Sequence, residues 1–96
     1  MSLSDLGPFL HAIADPARRR ILQALKTSPG SSPEKSGLCA RDLEDRVKLC
    51  QPTVSHHMKI LEQAGLVVVK KDGTWRRYRR NERLITEYIR GLKKTI

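Results

Sequence analysis

Aromatic side chains are scarce in this 96-residue chain, which has only Phe9, Trp75, Tyr78 and Tyr88. Stacking platforms that hold single strands or RNA need more flat surface than these provide. Cysteine is nearly absent as well, with Cys39 and Cys50 alone. The N-terminus lacks the charged region and apolar run of a secretory signal. Two thiols then suggest a reducing cytosol rather than a disulfide framework, and a cytoplasmic location is the expectation. No stretch of about 18 apolar residues occurs, so no membrane-spanning helix is expected. A phosphate-cradling glycine loop, paired carboxylates and a Ser/His/Asp set are all missing, which argues against an enzyme. The length fits one domain, residues 1–96.

Negative charge is short in one part of the chain only. Residues 1–65 carry nine Lys/Arg against seven Asp/Glu, whereas residues 66–96 carry ten against three. A basic excess gathered in one third of a small domain points to a polyanionic partner. An anionic membrane fits less well, because no helix joins a broad apolar face to a lysine-rich one.

The stretch from Leu49 to Gly65, LCQPTVSHHMKILEQAG, gives that partner a shape. As a helix from about Gln51 it puts Val54, Met58 and Leu61 on one buried stripe. Thr53, His56, Lys59 and Gln63 face the other way, with Ser55 on the flank. Gly65 is the left-handed stop expected just past a helix end. A short helix at about 40–47, with Leu43 and Val47 inward, precedes it across a turn at Leu49 and Cys50. A short helix, a tight turn and a second helix with a polar N-terminal face is the arrangement that reads a DNA major groove.

Upstream, Leu3, Leu6, Leu10 and Ile13 share one side of a helix over 3–14, with Phe9 beside them and Ser4 as a cap. Pro8 delays regular hydrogen bonding to about Gly7. Asp15-Pro16 opens a second helix to about Lys26 that buries Ala17, Ile21, Leu22 and Leu25. Arg18, Arg19 and Arg20 interrupt it, either as a solvated face or as phosphate contacts or salt-bridge donors. Residues 27–37, TSPGSSPEKSG, have the composition of a loop and carry no assigned function.

Downstream, the β-branched run Leu66–Val69 leads to a turn over Lys70–Thr74, signalled by Asp72-Gly73, and a return strand over Trp75–Arg80. The ribbon is a wing whose Lys70, Lys71, Arg76 and Arg77 suit a phosphate backbone or minor groove. Asn81 caps a last helix, about 82–94, with Leu84, Ile85, Tyr88, Ile89 and Leu92 in an apolar stripe. Apolar helices at both ends offer more area than one small core covers, so a helical dimer interface is expected.

The segments ADPARRRIL and QPTVSHHMKILEQAGLV, the element order and the basic wing together resemble the ArsR/SmtB family of winged helix-turn-helix repressors. The resemblance spans about Leu6 to Leu92. It implies a mainly helical winged helix-turn-helix fold and a homodimer joined through its first and last helices. It also implies a repressor on a roughly palindromic double-stranded operator. Half-sites would lie about 10–10.5 bp apart or a multiple of that. Gln51, Thr53, Ser55, His56 and Lys59 would meet DNA, with Gln51 suited to adenine and Lys59 to phosphate. His57, nearer the buried stripe, would pack or contact another helix.

Family members often release DNA when a metal or metalloid binds. The family's arsenical site lies in a segment like LCVCDLC, where this chain has Leu38-Cys39-Ala40-Arg41-Asp42-Leu43-Glu44 and only Cys39 remains. The zinc site of the last helix has no counterpart here, since that helix contains no histidine. No metal or cofactor is therefore assigned. Cys50, where serine is usual, sits at the start of the reading helix, where the helix field favours a thiolate. Cys50, alone or with Cys39, is a candidate thiol sensor of redox state or of a thiophilic ion. Two alternatives stand beside a ligand-responsive repressor: a regulator controlled by its own level or by a partner protein, and a winged-helix module that binds protein only.

Overall fold

A computed structural model describes residues 4–26 and 37–96, with the side chains of all of these except Asp72 and Trp75. In chain order the elements are α1 (Gly7–Ala14), α2 (Pro16–Lys26), α3 (Ala40–Val47), α4 (Gln51–Gln63), β1 (Val67–Asp72), β2 (Trp75–Arg80) and α5 (Glu82–Thr95). Four helices, a hairpin and a helix is the order read from the sequence. The segment read as a loop at 27–37 lies outside the described residues apart from Gly37, as does Leu3.

Local signals set most of these boundaries. The Asp15 side chain opens α2 by accepting from the Ala17 amide at 2.7 Å. That bond is the main cause holding the Asp15 carboxyl below its usual range, with the Arg18 guanidinium acting in the same direction. Asn81 opens α5 by accepting from the Leu84 amide at 3.2 Å. The start of α1 departs from expectation, because Leu6 holds the cap position and makes no side-chain cap bond. Ser4 is not the cap. Pro8 in the first turn has no amide to be capped, and it is the Ser4 carbonyl that meets the Gly7 amide, at 3.4 Å.

The hairpin also differs in detail. Its strands pair antiparallel from Val67↔Arg80 to Asp72↔Trp75. Lys70, Lys71 and Asp72 are thus strand residues, not turn residues, and Gly73-Thr74 alone makes the turn. Gly73 has φ 63°, and Thr74 is not among the positive-φ residues. A positive φ at the first central position only is the II′ pattern that matches the twist of a two-residue hairpin. On its other edge β2 bonds to Leu38, with Leu38 N–H donating to Tyr78 at 2.9 Å and Tyr78 N–H donating back at 2.8 Å. The wing is thereby fastened to the residue just ahead of α3.

α4 packs against α1, α2, α3 and β1. Val54, Met58 and Leu61 are essentially without solvent contact. Burying each such side chain stabilises the fold by about 1.5–3 kcal/mol. At the far side the Phe9 and Tyr88 rings stack with centroids 4.8 Å apart. The Tyr88 hydroxyl donates to the Ala64 carbonyl at 3.1 Å. The stack joins α1 to α5 and the hydroxyl joins α5 to the end of α4, while Leu10 and Ile89 remain exposed. Among the described residues no helix is long and apolar enough to cross a membrane.

Arg18 departs from the pattern reading, whereas Arg19 and Arg20 are exposed as on a solvated face. Ala17 is half-buried, and Arg18, at 6% exposure, takes the inward place. The last four carbonyls of a helix have no partner within it. In α1 these belong to His11, Ala12, Ile13 and Ala14, and two arginines of the next helix take all four. Arg18 donates to His11 at 2.9 Å and to Ala12 at 2.6 Å. Arg19 donates to Ile13 at 2.5 Å and to Ala14 at 3.3 Å. Arg20 donates to the carbonyl of Val47, the last residue of α3. The expected salt bridge is present for Arg18, 3.6 Å from Asp15. Its phosphate role is excluded by burial.

α4 ends in a Schellman turn. The Leu66 amide bonds to the Leu61 carbonyl at 3.0 Å and the Gly65 amide to the Glu62 carbonyl at 2.9 Å. Gly65 has φ 77°, and a Cβ there would lie 2.5 Å from Leu84 Cδ2. Gly65→Ala therefore meets both a left-handed backbone penalty and a clash with α5. It should lower unfolding free energy by more than about 1 kcal/mol in urea titration.

Candidate nucleic-acid interface

Lys48 makes the turn between α3 and α4 in the left-handed region, φ 58° and ψ 45°, with its amide bonded to the Glu44 carbonyl. This turn aims the start of α4 outward. Gln51, Ser55, His56 and Lys59 are exposed, whereas Thr53 is half-buried and His57 is buried. His57 is thus turned inward, where packing or contact with another helix was expected.

Gln51 and Ser55 share one groove with Arg41 of α3 and with Thr74 and Arg76 of the wing. Cys39, Ala40 and Tyr78 complete its walls. The groove brings the first turns of both helices to the wing, so polar helix side chains and a wing cation adjoin. Arg41 belongs to it although the sequence reading assigned it no DNA contact. The available signal was its place in the first turn of α3, ahead of a helix whose own first turn is polar. His56 and Lys59 lie elsewhere on α4.

Strand alternation divides the wing cations into two pairs. Lys71 and Arg76 lie on the Tyr78 face, and Lys70 and Arg77 on the opposite one. Lys70, Lys71 and Arg76 are exposed, while Arg77 is half-buried. Lys70 is directly opposite Arg77, and Lys71 directly opposite Arg76. Like charges so placed destabilise a ribbon. Ion pairs among the described residues join Asp15 to Arg18, Arg80 to Glu82 and Arg83 to Glu87. None of them relieves the four wing cations. A ribbon that keeps two successive cationic pairs gains from an external polyanion.

Cys39 and Cys50 occupy the N-cap positions of successive helices, and both thiols are free of disulfides. Cys39 turns inward on its own helix, its amide and its thiol both donating to Asp42 Oδ2, at 3.2 and 3.1 Å. Cys50 is exposed, with Sγ 3.2 Å from the Thr53 hydroxyl. That hydroxyl, and after it the Thr53 amide, hold the Cys50 thiol below its ordinary pKa. The direction matches a sulfur at a helix N-terminus, but the Thr53 hydroxyl is the larger cause. Among the described residues no cluster of three or more His, Cys, Asp or Glu side chains is placed to hold a metal ion.

Two helices joined by a tight turn, a polar face on the second and a cationic hairpin behind it define a winged helix-turn-helix of the DNA-binding class. The sequence profile of the bacterial regulatory proteins of the arsR family matches residues 15–69. The chain belongs to that family, whose members are DNA-binding transcription regulators and not enzymes. It is 35% identical over 92 residues to the arsenical resistance operon repressor of Staphylococcus aureus, covering 96% of this chain and 81% of that one. An ArsR-like transcriptional regulator from Rhodococcus sp. RHA1 superposes with a TM-score of 0.77 at 25% identity, over 96% of this chain and 79% of its own. A homodimeric winged helix-turn-helix DNA-binding domain from Mycobacterium bovis shares the fold, with a TM-score of 0.72 at 19% identity, over 97% and 80% of the two chains.

The cross-strand repulsion sets stability against binding. Lys71→Glu creates an opposite-charge pair with Arg76. It should stabilise the free protein by roughly 0.2–1 kcal/mol in thermal melting, while its DNA affinity in fluorescence anisotropy falls.

Proposed function

We propose that the protein is a cytoplasmic, homodimeric repressor that binds a roughly palindromic operator. The start of α4 enters the major groove, and the wing lies along the phosphate backbone. The carrying observation is the groove that joins Gln51 and Ser55 to Arg76, flanked by wing cations that no ion pair among the described residues meets. Gln51, Thr53, Ser55 and His56 address bases or the adjacent backbone, and Lys59, Lys70, Lys71, Arg76 and Arg77 address phosphate. Dimerisation through α1 and α5 is supported by their stacked Phe9 and Tyr88 and by the exposed Leu10 and Ile89. The M. bovis relative, named as homodimeric, supports it too.

Fluorescence anisotropy on DNA from upstream of the protein's own gene tests this across a range of salt concentrations. The logarithm of the binding constant should fall linearly with the logarithm of salt, by about 0.9 for each phosphate contacted. Arg76→Ala should lower that slope by about 1, whereas Gln51→Ala should cost about 1–3 kcal/mol on the operator alone. Salt-independent binding, or an Arg76→Ala slope equal to wild type, overturns the assignment.

The exposed Cys50 favours a second layer of control. A peroxide that oxidises its thiolate to a sulfenate would place a new polar group at the start of the reading helix, beside the phosphates. Operator affinity should drop on peroxide treatment of the wild type and hold steady in Cys50→Ser. Equal losses in both proteins remove Cys50 from the account.

A further inference from the structure

The DNA-reading helix is held to the N-terminal part of the fold by a buried polar contact. His57 Nδ1, on the inner face of α4, lies 3.2 Å from Arg18 Nη1. The same guanidinium donates through Nε to Ala12 at 2.6 Å and through Nη2 to His11 at 2.9 Å. One planar group thus joins α4 to the terminal carbonyls of α1. A nitrogen facing a guanidinium must offer its lone pair, so the His57 ring is neutral and carries its proton on Nε2.

The surroundings agree with a neutral ring. Burial is the main cause pushing the His57 pKa below its ordinary value, and Arg18 and His56 push the same way. Asp15, at the head of α2, acts in the opposite direction. These are the charged and titratable groups facing the ring from α2 and α4, while α1 presents backbone carbonyls to Arg18. The His56 ring, next along α4, is exposed on the outer side with its centroid 5.7 Å from that of His57.

We propose that Arg18 and neutral His57 are the positioning pair of the reading helix, fixing the rotation of α4 against α1 so that operator affinity depends on an open lone pair at His57 Nδ1. The inference rests on the reading of α4 as the helix that enters DNA. A proton on Nδ1 turns the acceptor into a donor aimed at a guanidinium, and the joint opens. α1 belongs to the proposed dimer interface, so releasing α4 from it also releases the spacing between paired reading helices.

The sign follows directly. His57 titrates lower in the folded protein than in the unfolded chain, where its value is about 6.5. The joint is intact above that pH and is lost as pH falls through the depressed folded value, taking its share of stability with it.

The test is operator affinity by fluorescence anisotropy between pH 5.5 and 8, with wild type, His57→Asn, His57→Ala and His56→Gln. In His57→Asn the introduced amide oxygen would stand near the place of Nδ1 and accept without titrating. This variant should therefore keep wild-type affinity at pH 7.5 within about threefold and show no acid-side loss. His57→Ala should bind weakly at every pH. Wild type and His56→Gln should both lose affinity on the acid side, about tenfold for each pKa unit by which operator lowers the His57 pKa.

A role confined to packing would make the Asn and Ala variants alike, and that result overturns the proposal. Histidine ring NMR of the wild type gives a reading independent of how well the variants fold. His57 should be the Nε2–H tautomer, with a pKa lower in the operator complex than in the free protein. Equal values in the two states overturn the positioning role. Failure of the wild type to bind at pH 7.5 sinks the reading of α4 itself, which a flat pH profile with intact binding does not.

Discussion

The Arg18 guanidinium is the constraint around which the N-terminal half is arranged. α1 has eight residues, too few for a helix to persist in water on its own. It ends against Asp15-Pro16, where the chain turns at once into α2, so its terminal carbonyls face protein as well as water. An arginine is one of the few side chains that can satisfy two of them and still reach a third partner, because its donors form a fixed fork. A buried cation without partners is costly. Arg18 is tolerated because each arm of the fork meets an oxygen or a nitrogen lone pair and Asp15 lies 3.6 Å away. The arrangement is mutual: α1 needs the donors of α2, and Arg18 needs the carbonyls of α1 and the ring of α4.

That joint, the Leu38–Tyr78 bridge and the Gly65 turn act on three sides of the same region. The bridge ties the wing to the head of α3, the glycine turn sends the chain from α4 into β1, and Arg18 holds α4 from behind. The polar start of α4 is left as the part that packing does not consume. Its neighbours on the wing carry like-charged cross-strand pairs that a fold optimised for stability alone would replace. Local conflict held inside an otherwise consistent structure is characteristic of functional surfaces. Here the conflict is electrostatic, and the proposed contact with a phosphate backbone would relieve it.

Features governed by near neighbours in sequence were readable. The stripe Val54, Met58, Leu61 announces α4, Asp15-Pro16 and Asn81 announce the starts of α2 and α5, and Gly65 announces a left-handed stop. The groove was only half readable. Gln51 and Ser55 follow from helical phase, but Arg41 joins them through a contact between elements. Arg18 was misplaced for a related reason. It stands four and seven residues before Leu22 and Leu25, in phase with the buried stripe, yet three consecutive arginines suggest solvent. What turns one of them inward is an acceptor 39 residues away and a set of carbonyls on another helix. Charge type is a weak guide to burial when the partner is backbone.

This also changes what the excess of positive charge means. A net charge of +9 suggests a polyanion, but several cations answer to the protein itself. Arg18, Arg19 and Arg20 bond to helix-terminal carbonyls. Arg80 bonds to the Leu22 carbonyl and to Glu82, and Arg83 pairs with Glu87. Carbonyl acceptors leave the formal charge in place, so the long-range field that draws DNA survives while the side chains are fixed. The cations therefore fall into two kinds. One kind contributes field and is committed to structure. The other, on the wing and on the outer face of α4, contributes field and remains available for contact. Substituting the first kind would perturb binding through folding and steering, and substituting the second would remove a proposed phosphate contact from a fold that stays intact. A count of lysines and arginines cannot distinguish them, whereas the acceptor each one meets does.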